Sequence, residues 1–256
     1  MRLLRLAALL AICFAPAAHA AEVRVISPGV ISNSGLREVA AAFTKKTGVA
    51  VIIIGSGMRQ IVNSIKTDNP APDIMMLPMD LMGGLALDRG LIPGSFTPLG
   101  RVEIGLFKKP DAPYQDISTV EKLVAAMKTA SVVFYTDPVS GSMQAGMSDR
   151  MVKRPDFAGV HAQGIKGDAE PALKRGEGDD KAMGLGLIHG FNSFENAPTD
   201  NPYLMGALPA ELGMHMDMAT GISARSTNVK DSRAFLEFAT SPEMRAVWAS
   251  KGTHRY

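Results

Sequence analysis

The chain has 256 residues, of which 46% are hydrophobic and 20% are charged, and its formal net charge is +2. That apolar fraction excludes a disordered chain, and the length is enough for one large domain or two lobes that each bury a core. Without Arg2 and Arg5, which precede a predicted cleavage site, the chain has 25 basic and 25 acidic residues. A nucleic-acid-binding protein carries a basic excess, so we expect no nucleic acid partner.

Residues 1–20 have the features of a cleavable signal peptide. Two arginines precede a short apolar stretch at 6–16, and Ala18-His19-Ala20 supplies small residues where the peptidase cuts. The apolar stretch is shorter than the roughly 20 residues that a membrane-spanning helix needs. We therefore predict export, cleavage after Ala20 and a periplasmic location.

The residues that follow alternate between strand and helix patterns. The β-branched run at 49–54 predicts a parallel strand that is covered on both faces. Apolar residues at helical spacing predict the helices, and Gly48 marks the end of the first of them. In chain order, this first block has a strand at 23–26, a helix at 36–47, a strand at 49–54, a helix at 59–67, a strand at 73–77 and a helix at 81–89. Such alternation predicts a wound α/β sheet with right-handed crossovers.

A second block of the same kind follows and is closed by two helices. The sequence Ser118-Thr119-Val120-Glu121 reads as a capping box, and Ser241 with Pro242 begins the last helix. The block contains a strand at 102–107, a helix that ends near 129, a strand at 132–135, a Met-rich helix after 142, a short helix at 169–175, a strand at 183–188, a loop at 190–202 and a strand at 214–223. The last two helices have no strands of their own, so we expect them to pack on the first block.

These elements together predict an α/β protein with two lobes joined by two crossing strands. We assign residues 21–102 plus 214–256 to lobe 1 and residues 103–213 to lobe 2. Nothing in the sequence indicates an oligomer, so we expect a monomer.

Three strand-to-helix loops, at 27–34, 55–59 and 137–142, are rich in glycine and serine. Ligands of wound sheets bind beyond the carboxyl ends of the strands, where helix N-termini present unpaired N–H groups. Serine hydroxyls donate hydrogen bonds without bringing a charge. The loops therefore predict a cradle for a small anion, although ordinary turns share this composition. The candidate ligand-binding residues in these loops are Ser32, Ser56, Gly57, Ser140 and Ser142.

Two further residues are candidates for the same site. Arg59 falls in the first turn of a predicted helix, where the helix dipole disfavours a cation. A guanidinium there clamps a carboxylate through paired hydrogen bonds, or else it simply points to solvent. His189 follows the predicted strand at 183–188 and either lines the cleft or fills a structural position.

Sequence motifs for catalysis and metal binding are absent. There is no G-x-S-x-G turn, no H-E-x-x-H pair and no glycine-rich nucleotide loop. The only cysteine, Cys13, precedes the cleavage site, and the histidines lack partners at a metal-ligand spacing. We therefore expect no metal, no cofactor and no catalysis. An exported enzyme that uses Ser56 or His189 is the alternative.

Short sequence patterns in a fixed order resemble one known family. They are LREV at 36–39, FTKKTGV at 43–49, GSG at 55–57, APDI at 71–74, DPVSG at 137–141, MGLGLIH at 183–189, FLEF at 235–238 and SPE at 241–243. Over nearly all of 23–253 the chain resembles the periplasmic molybdate-binding proteins of ABC importers, which are type II periplasmic binding proteins. The resemblance implies two lobes that close on a ligand and a membrane permease that receives it.

The chain departs from this family at the expected ligand positions. The family places a serine run in the second loop and a tyrosine after the second-lobe strand, whereas this chain has Met58 and Arg59 in the loop and His189 in place of the tyrosine. An arginine with extra polar groups suits an organic carboxylate. We therefore favour an organic carboxylate over a molybdate-like oxyanion as the small anionic ligand.

Overall fold

The computed structural model describes residues 22–188 and 201–256. The predicted signal peptide with its cleavage after Ala20, His189 and nearly all of the loop at 190–202 lie outside the described residues. The strands are β1 (Glu22–Ser27), β2 (Ala50–Gly55), β3 (Ile74–Pro78), β4 (Thr97–Lys108), β5 (Val133–Thr136), β6 (Ala162–Ile165), β7 (Met183–Leu187), β8 (Leu204–Ala207) and β9 (His215–Ile222).

The helices other than the first occupy the positions that the sequence predicts, with bounds that differ by a few residues, whereas the short first helix lies in the segment 27–34 that was predicted to be a loop. They are α1 (Gly29–Ile31), α2 (Arg37–Thr47), α3 (Met58–Thr67), α4 (Met79–Leu87), α5 (Val120–Thr129), α6 (Met143–Val152), α7 (Ala169–Lys174), α8 (Val229–Ala239) and α9 (Arg245–Ser250). Gly48 ends α2 in the left-handed conformation, as its position predicts. In the described parts of the chain, the helices are all too short or too polar to span a membrane.

The strands form the two-lobed α/β fold that the sequence predicts. Their order is β2-β1-β3-β9-β4-β7-β5-β6, and β8 also pairs with β4. In the first lobe β1 pairs in parallel with β2 and β3, and in the second β5 pairs in parallel with β6 and β7. The strand β4 belongs to both lobes, because its residues up to Glu103 pair with β9 and those from Ile104 onward pair with β7.

Two hydrophobic cores divide at this shared strand. Val102 packs in the core of the first lobe and Ile104 in the core of the second. The same division falls on the neighbouring segment, where Met216 packs in the first core and Met214 in the second. The chain thus passes between the lobes through β4 and the start of β9. The exact lobe boundaries, 21–102 plus 214–256 and 103–213, stay a prediction.

Some details differ from the sequence-based expectations. The run at 49–54 was expected to be covered on both faces, which is wrong, because β2 is an edge strand and Ile52 is 43% exposed. Ser118 was expected to cap α5, but the N-cap is Thr119, whose hydroxyl oxygen accepts the Lys122 N–H. The strands β6 and β8 were not predicted, since their sequences lack a β-branched run.

The C-terminal helices complete the first core, as expected. Trp248 of α9 is fully buried, and its indole Nε1 donates to the Ala239 carbonyl oxygen at 2.8 Å. Phe235 of α8 meets Phe43 of α2 edge to face, with ring centroids 5.2 Å apart. The first core is therefore closed by the last residues of the chain.

Trp248 also restricts the residue type at Gly35, at the end of the segment between β1 and α2. Gly35 has φ +119°, and a Cβ built there would lie 2.6 Å from Cε3 of Trp248. Both the space and the backbone conformation therefore require glycine at this position. The turn that begins α2 is fixed against the C-terminal helix in this way.

An ion pair links the two crossing strands. Arg101 of β4 lies opposite Asp217 of β9, with Nε to Oδ1 at 2.8 Å and Nη2 to Oδ2 at 3.2 Å. The Tyr256 hydroxyl also donates to Asp217. These hydrogen bonds, that from Arg101 above all, lower the pKa of Asp217 below its ordinary value. The pair lies at the junction that links the lobes.

We expect Gly35→Ala to destabilise the protein by about 2–4 kcal/mol, because it adds both overpacking against Trp248 and backbone strain. Gly48→Ala is the control, since Gly48 has φ +76° but nothing within 4 Å of the added Cβ. It should cost only about 1 kcal/mol. Urea unfolding measures both. Equal losses in the two variants would mean that the contact with Trp248 is not what requires glycine.

We expect Asp217→Asn to lower the free energy of unfolding at pH 7 by about 1 kcal/mol, a value discounted because Arg101 and Asp217 are partly exposed. Because folding lowers the pKa of Asp217, its contribution is complete above about pH 4–5. It disappears as the pH falls through the folded-state pKa. The difference between wild type and variant should therefore vanish at low pH in urea titrations.

The control for this experiment is Asp156→Asn. Asp156 makes a similar two-point contact with Arg154, but the two residues are neighbours in sequence and exposed. Its loss should be smaller, because the pair joins no distant segments. If the stability difference for Asp217→Asn stayed constant from pH 7 to pH 3, ionisation of Asp217 would not be its cause.

Candidate ligand-binding cleft

A cleft of about 660 Å³ is lined by loops from both lobes. Its walls come from the segments that follow the carboxyl ends of β1, β2, β5 and β6, together with the end of β7. This is the edge at which wound sheets bind ligands. The volume is in the range of small-molecule sites.

The first-lobe wall contains most of the residues predicted for it. Ser56, Gly57 and Arg59 all line the cleft, and Asn33 and Gln60 join them. Gly57 is the N-cap of α3, and it is followed by Met58 and Arg59 in the first helical turn. The backbone of α3 therefore points its N-terminal N–H groups toward this wall.

Arg59 is exposed, and its guanidinium makes no hydrogen bond or ion pair with a described residue. Its place in the first turn of α3 is unfavourable for a cation, because the helix dipole is positive there. A cation in this position is stabilised when an anion binds beside it. The arrangement can accept a planar carboxylate through two parallel hydrogen bonds.

The Gln60 side chain accepts hydrogen bonds from two donors that an anion in the cleft could otherwise use. Its Oε1 accepts the Ser56 hydroxyl at 3.1 Å and the Gly57 N–H at 3.2 Å. The side chain thus reaches back from the third position of α3 to its N-cap, as in a capping box. An anion that uses Ser56 and Gly57 must displace the Gln60 amide oxygen.

The second-lobe wall contains both predicted serines. Ser142 is the N-cap of α6, where its Oγ accepts the Ala145 N–H at 3.2 Å. Ser140 donates to Ser142 Oγ at 3.4 Å and accepts the Ser142 N–H. The Ser142 hydroxyl proton is engaged with no described residue, so Ser142 can donate to a ligand.

Acidic groups that the sequence analysis did not single out also line this wall. Asp168 follows β6, and its Oδ1 accepts the hydroxyl of Thr136 at 3.1 Å. Glu170 is only 3% exposed, and its Oε1 accepts from Asn201 Nδ2 at 2.8 Å. Lys174 lies 3.7 Å from the same oxygen. The second lobe thus contributes carboxylates as well as hydroxyls.

Ser32 does not line the cleft. It is 3% exposed, and its hydroxyl lies 2.6 Å from that of Ser27, inside the turn that follows β1. The neighbouring Asn33 faces the cleft instead. The structure thus brings five of the seven predicted site residues to one cleft, places Ser32 in the interior and leaves His189 outside the described residues.

A signal for the missed residues exists only in part. Gln60 stands three residues after Gly57, which is the spacing of a capping residue. Thr136 directly follows the predicted strand at 132–135, so its place at the carboxyl edge of the sheet was predictable. Asp168 was not, because it follows the unpredicted strand β6. No cluster of three or more His, Cys, Asp or Glu side chains suited to a metal ion occurs within 22–188 and 201–256.

Solved structures share this fold. The substrate-binding domain assigned to a molybdenum ABC transporter of Clostridium difficile superimposes with a TM-score of 0.73 at 12% identity, over 92% of this chain and 99% of that one. The periplasmic molybdate-binding protein of Azotobacter vinelandii gives 0.64 at 15% identity, over 90% and 98%. The tungstate-binding protein of Desulfovibrio alaskensis G20 gives 0.64 at 16% identity, over 93% and 99%.

These similarities show the two-lobed fold of type II periplasmic binding proteins and confirm the resemblance seen in the sequence. No curated protein matches the chain. The family model of the bacterial extracellular solute-binding proteins matches residues 24–254. The chain therefore belongs to the bacterial extracellular solute-binding protein family.

Proposed function

We propose that this protein is the exported solute-binding component of an ABC importer. It captures a small anion in the cleft, an organic carboxylate in preference to a molybdate-like oxyanion, and delivers it to a membrane permease. The observation that carries the proposal is Arg59, a guanidinium without a partner among the described residues at the N-terminus of α3 in an interlobe cleft.

The chemistry of the first-lobe wall favours a carboxylate. A guanidinium presents a planar fork of donors that matches the two oxygens of a carboxylate. Tetrahedral oxyanions are held well by neutral donors, but here the Ser56 hydroxyl and the Gly57 N–H are already engaged by Gln60. On this wall an anion therefore gains most from the Arg59 guanidinium, a charged donor group without a partner among the described residues.

Location and partners follow from the family and the predicted signal peptide. We propose cleavage after Ala20, a monomeric mature protein in the periplasm and a permease that docks on the closed form. Closure requires bending at β4 and β9, where the two cores divide, and contacts from a ligand to both walls stabilise it.

Geometry gives the enzyme alternative no support at Ser56. An activated serine donates its proton to a base, commonly a histidine. Ser56 donates to the Gln60 amide oxygen, which cannot take up the proton as a base. Recovery of intact ligand after prolonged incubation with the protein would agree with a receptor, whereas turnover that is lost in Ser56→Ala would favour the enzyme.

The variant Arg59→Ala tests the proposed carboxylate clamp. We expect it to weaken binding of a carboxylate by about 1.5–3 kcal/mol, because a charged hydrogen bond is lost. A thermal-shift panel of citrate, succinate, malate, molybdate, tungstate, sulfate and phosphate, on refolded protein, identifies the best anion. Calorimetry with that anion then measures the change.

Arg233→Ala is the matched control. Arg233 is an exposed arginine on α8 and lies outside the cleft. Each variant loses one arginine, so the two have the same net charge. We expect its affinity to equal that of the wild type. Equal affinities for all three proteins would refute the carboxylate clamp, and a response to molybdate or tungstate alone would favour the oxyanion over the carboxylate.

The variant Gln60→Ala tests whether the glutamine competes with the ligand. Removal of the amide oxygen releases the Ser56 hydroxyl and the Gly57 N–H, so we expect up to about tenfold tighter binding of the best anion. Asn63→Ala on the same helix is the control, since Asn63 does not line the cleft. Weaker binding by Gln60→Ala would show instead that the glutamine amide itself holds the ligand.

A further inference from the structure

The two walls of the cleft carry side chains of opposite charge, Arg59 and Asp168, and neither side chain forms an ion pair with a described residue. Arg59 lies on the first-lobe wall. Asp168 lies on the second-lobe wall, and no described lysine, arginine or histidine is within ion-pair distance of its carboxylate. Its one described hydrogen-bond partner is the neutral hydroxyl of Thr136.

Glu170, which lines the same wall, differs from Asp168 in this respect. Its carboxylate is buried, accepts from Asn201 and has Lys174 at 3.7 Å. This carboxylate therefore has a cation of the protein beside it. Asp168 is half-buried in the loop that follows β6, so its carboxylate is more accessible to a ligand than that of Glu170.

The neighbour of Asp168 makes this part of the wall an acceptor surface. Thr136 is 4% exposed, and it donates its only hydroxyl proton to Asp168. Neither side chain therefore offers a proton to a ligand here. A fully deprotonated oxyanion also has only acceptor atoms, so contact with Asp168 would place two negative groups together with no proton between them.

We propose that the ligand is a small organic acid that carries a hydrogen-bond donor, a hydroxyl or an ammonium group, apart from its carboxylate. Arg59 binds the carboxylate, and Asp168 accepts the hydrogen bond from the donor. This inference rests on the proposed function. When the lobes close on an acid without the donor, the Asp168 carboxylate loses its water and keeps only the hydrogen bond from Thr136, which is the costly case in recognition.

Acids that differ only in the donor test the proposal. Succinate, malate and aspartate form one set, glutarate, 2-hydroxyglutarate and glutamate a second, and tricarballylate and citrate a third. Calorimetry at pH 7 should find, in at least one set, a donor-bearing acid that binds ten- to a hundredfold tighter than its donor-free analogue.

Asp168→Asn then assigns that preference to the carboxylate. The amide keeps the shape of the side chain, and its oxygen can still accept from Thr136. Asp168 makes no side-chain cap to α7, so the substitution removes no capping hydrogen bond. We expect the variant to bind the donor-bearing acid at least tenfold more weakly, with the donor-free acid unchanged or tighter. Molybdate should bind more tightly to the variant, since a like charge is removed. Asp180→Asn, an exposed position outside the cleft, should match the wild type.

The outcomes separate the two proposals. If an anion binds with loss in Arg59→Ala but the matched acids bind alike, the donor inference fails and the proposed function stands. The same result is expected if Arg59 and Asp168 simply pair with each other across the closed cleft. If none of the acids or oxyanions binds to the wild type, the proposed function fails as well. A donor preference that persists unchanged in Asp168→Asn also overturns the inference.

Discussion

The continuous hydrogen bonding of β4 is the constraint on which the rest of the molecule depends. One strand pairs with β9 in the first lobe and, from Ile104 onward, with β7 and β8 in the second. Val102 and Ile104, two residues apart on the same face of this strand, pack in different cores. Bending at this point separates the cores without breaking either one, whereas bending within a core would expose apolar surface.

The same connection brings the carboxyl ends of both parallel sheets to one cleft. The loops after β1, β2, β5 and β6 meet there, and each presents polar groups from a turn or a helix start. Many of these groups are engaged internally: Ser56 and Gly57 by Gln60, and Thr136 by Asp168. These bonds order the walls of the cleft, and among the described residues they leave the Arg59 guanidinium, the Ser142 hydroxyl proton and the Asp168 carboxylate available for the proposed ligand.

Regular spacing made much of the fold predictable from the sequence, and tertiary context decided the remainder. Apolar spacing located α2 and α3, Gly48 marked the end of α2, and the capping pattern at 118–121 located α5. The strand-helix alternation predicted two α/β lobes. By contrast, β6 reads Ala-Gln-Gly-Ile, with one β-branched residue and a glycine, so the local sequence holds no strand signal. Because that strand was not predicted, Asp168 was not predicted to lie at the cleft, where the residues that follow parallel strands are expected. Ser32 shows a different kind of error. The sequence locates its segment between β1 and α2 correctly, but no feature of the local sequence indicates that the side chain points into the interior toward Ser27.

In the proposed receptor, the opposite charges of Arg59 and Asp168 also influence the closure of the lobes. Closure removes water from the cleft, and the loss of hydration is costly for any charge that is not paired. A ligand that binds Arg59 alone leaves the charge of Asp168 to be desolvated with only the Thr136 hydroxyl as a described donor, so this ligand stabilises the closed form less than its contact with the first lobe indicates. A ligand that satisfies both walls offsets both costs and adds its contacts only in the closed form. Differential affinity for open and closed states is the sole means by which a ligand shifts that equilibrium. In the proposed receptor, the pair of charges therefore couples recognition to closure, because the groups that identify the ligand also stabilise the closed form.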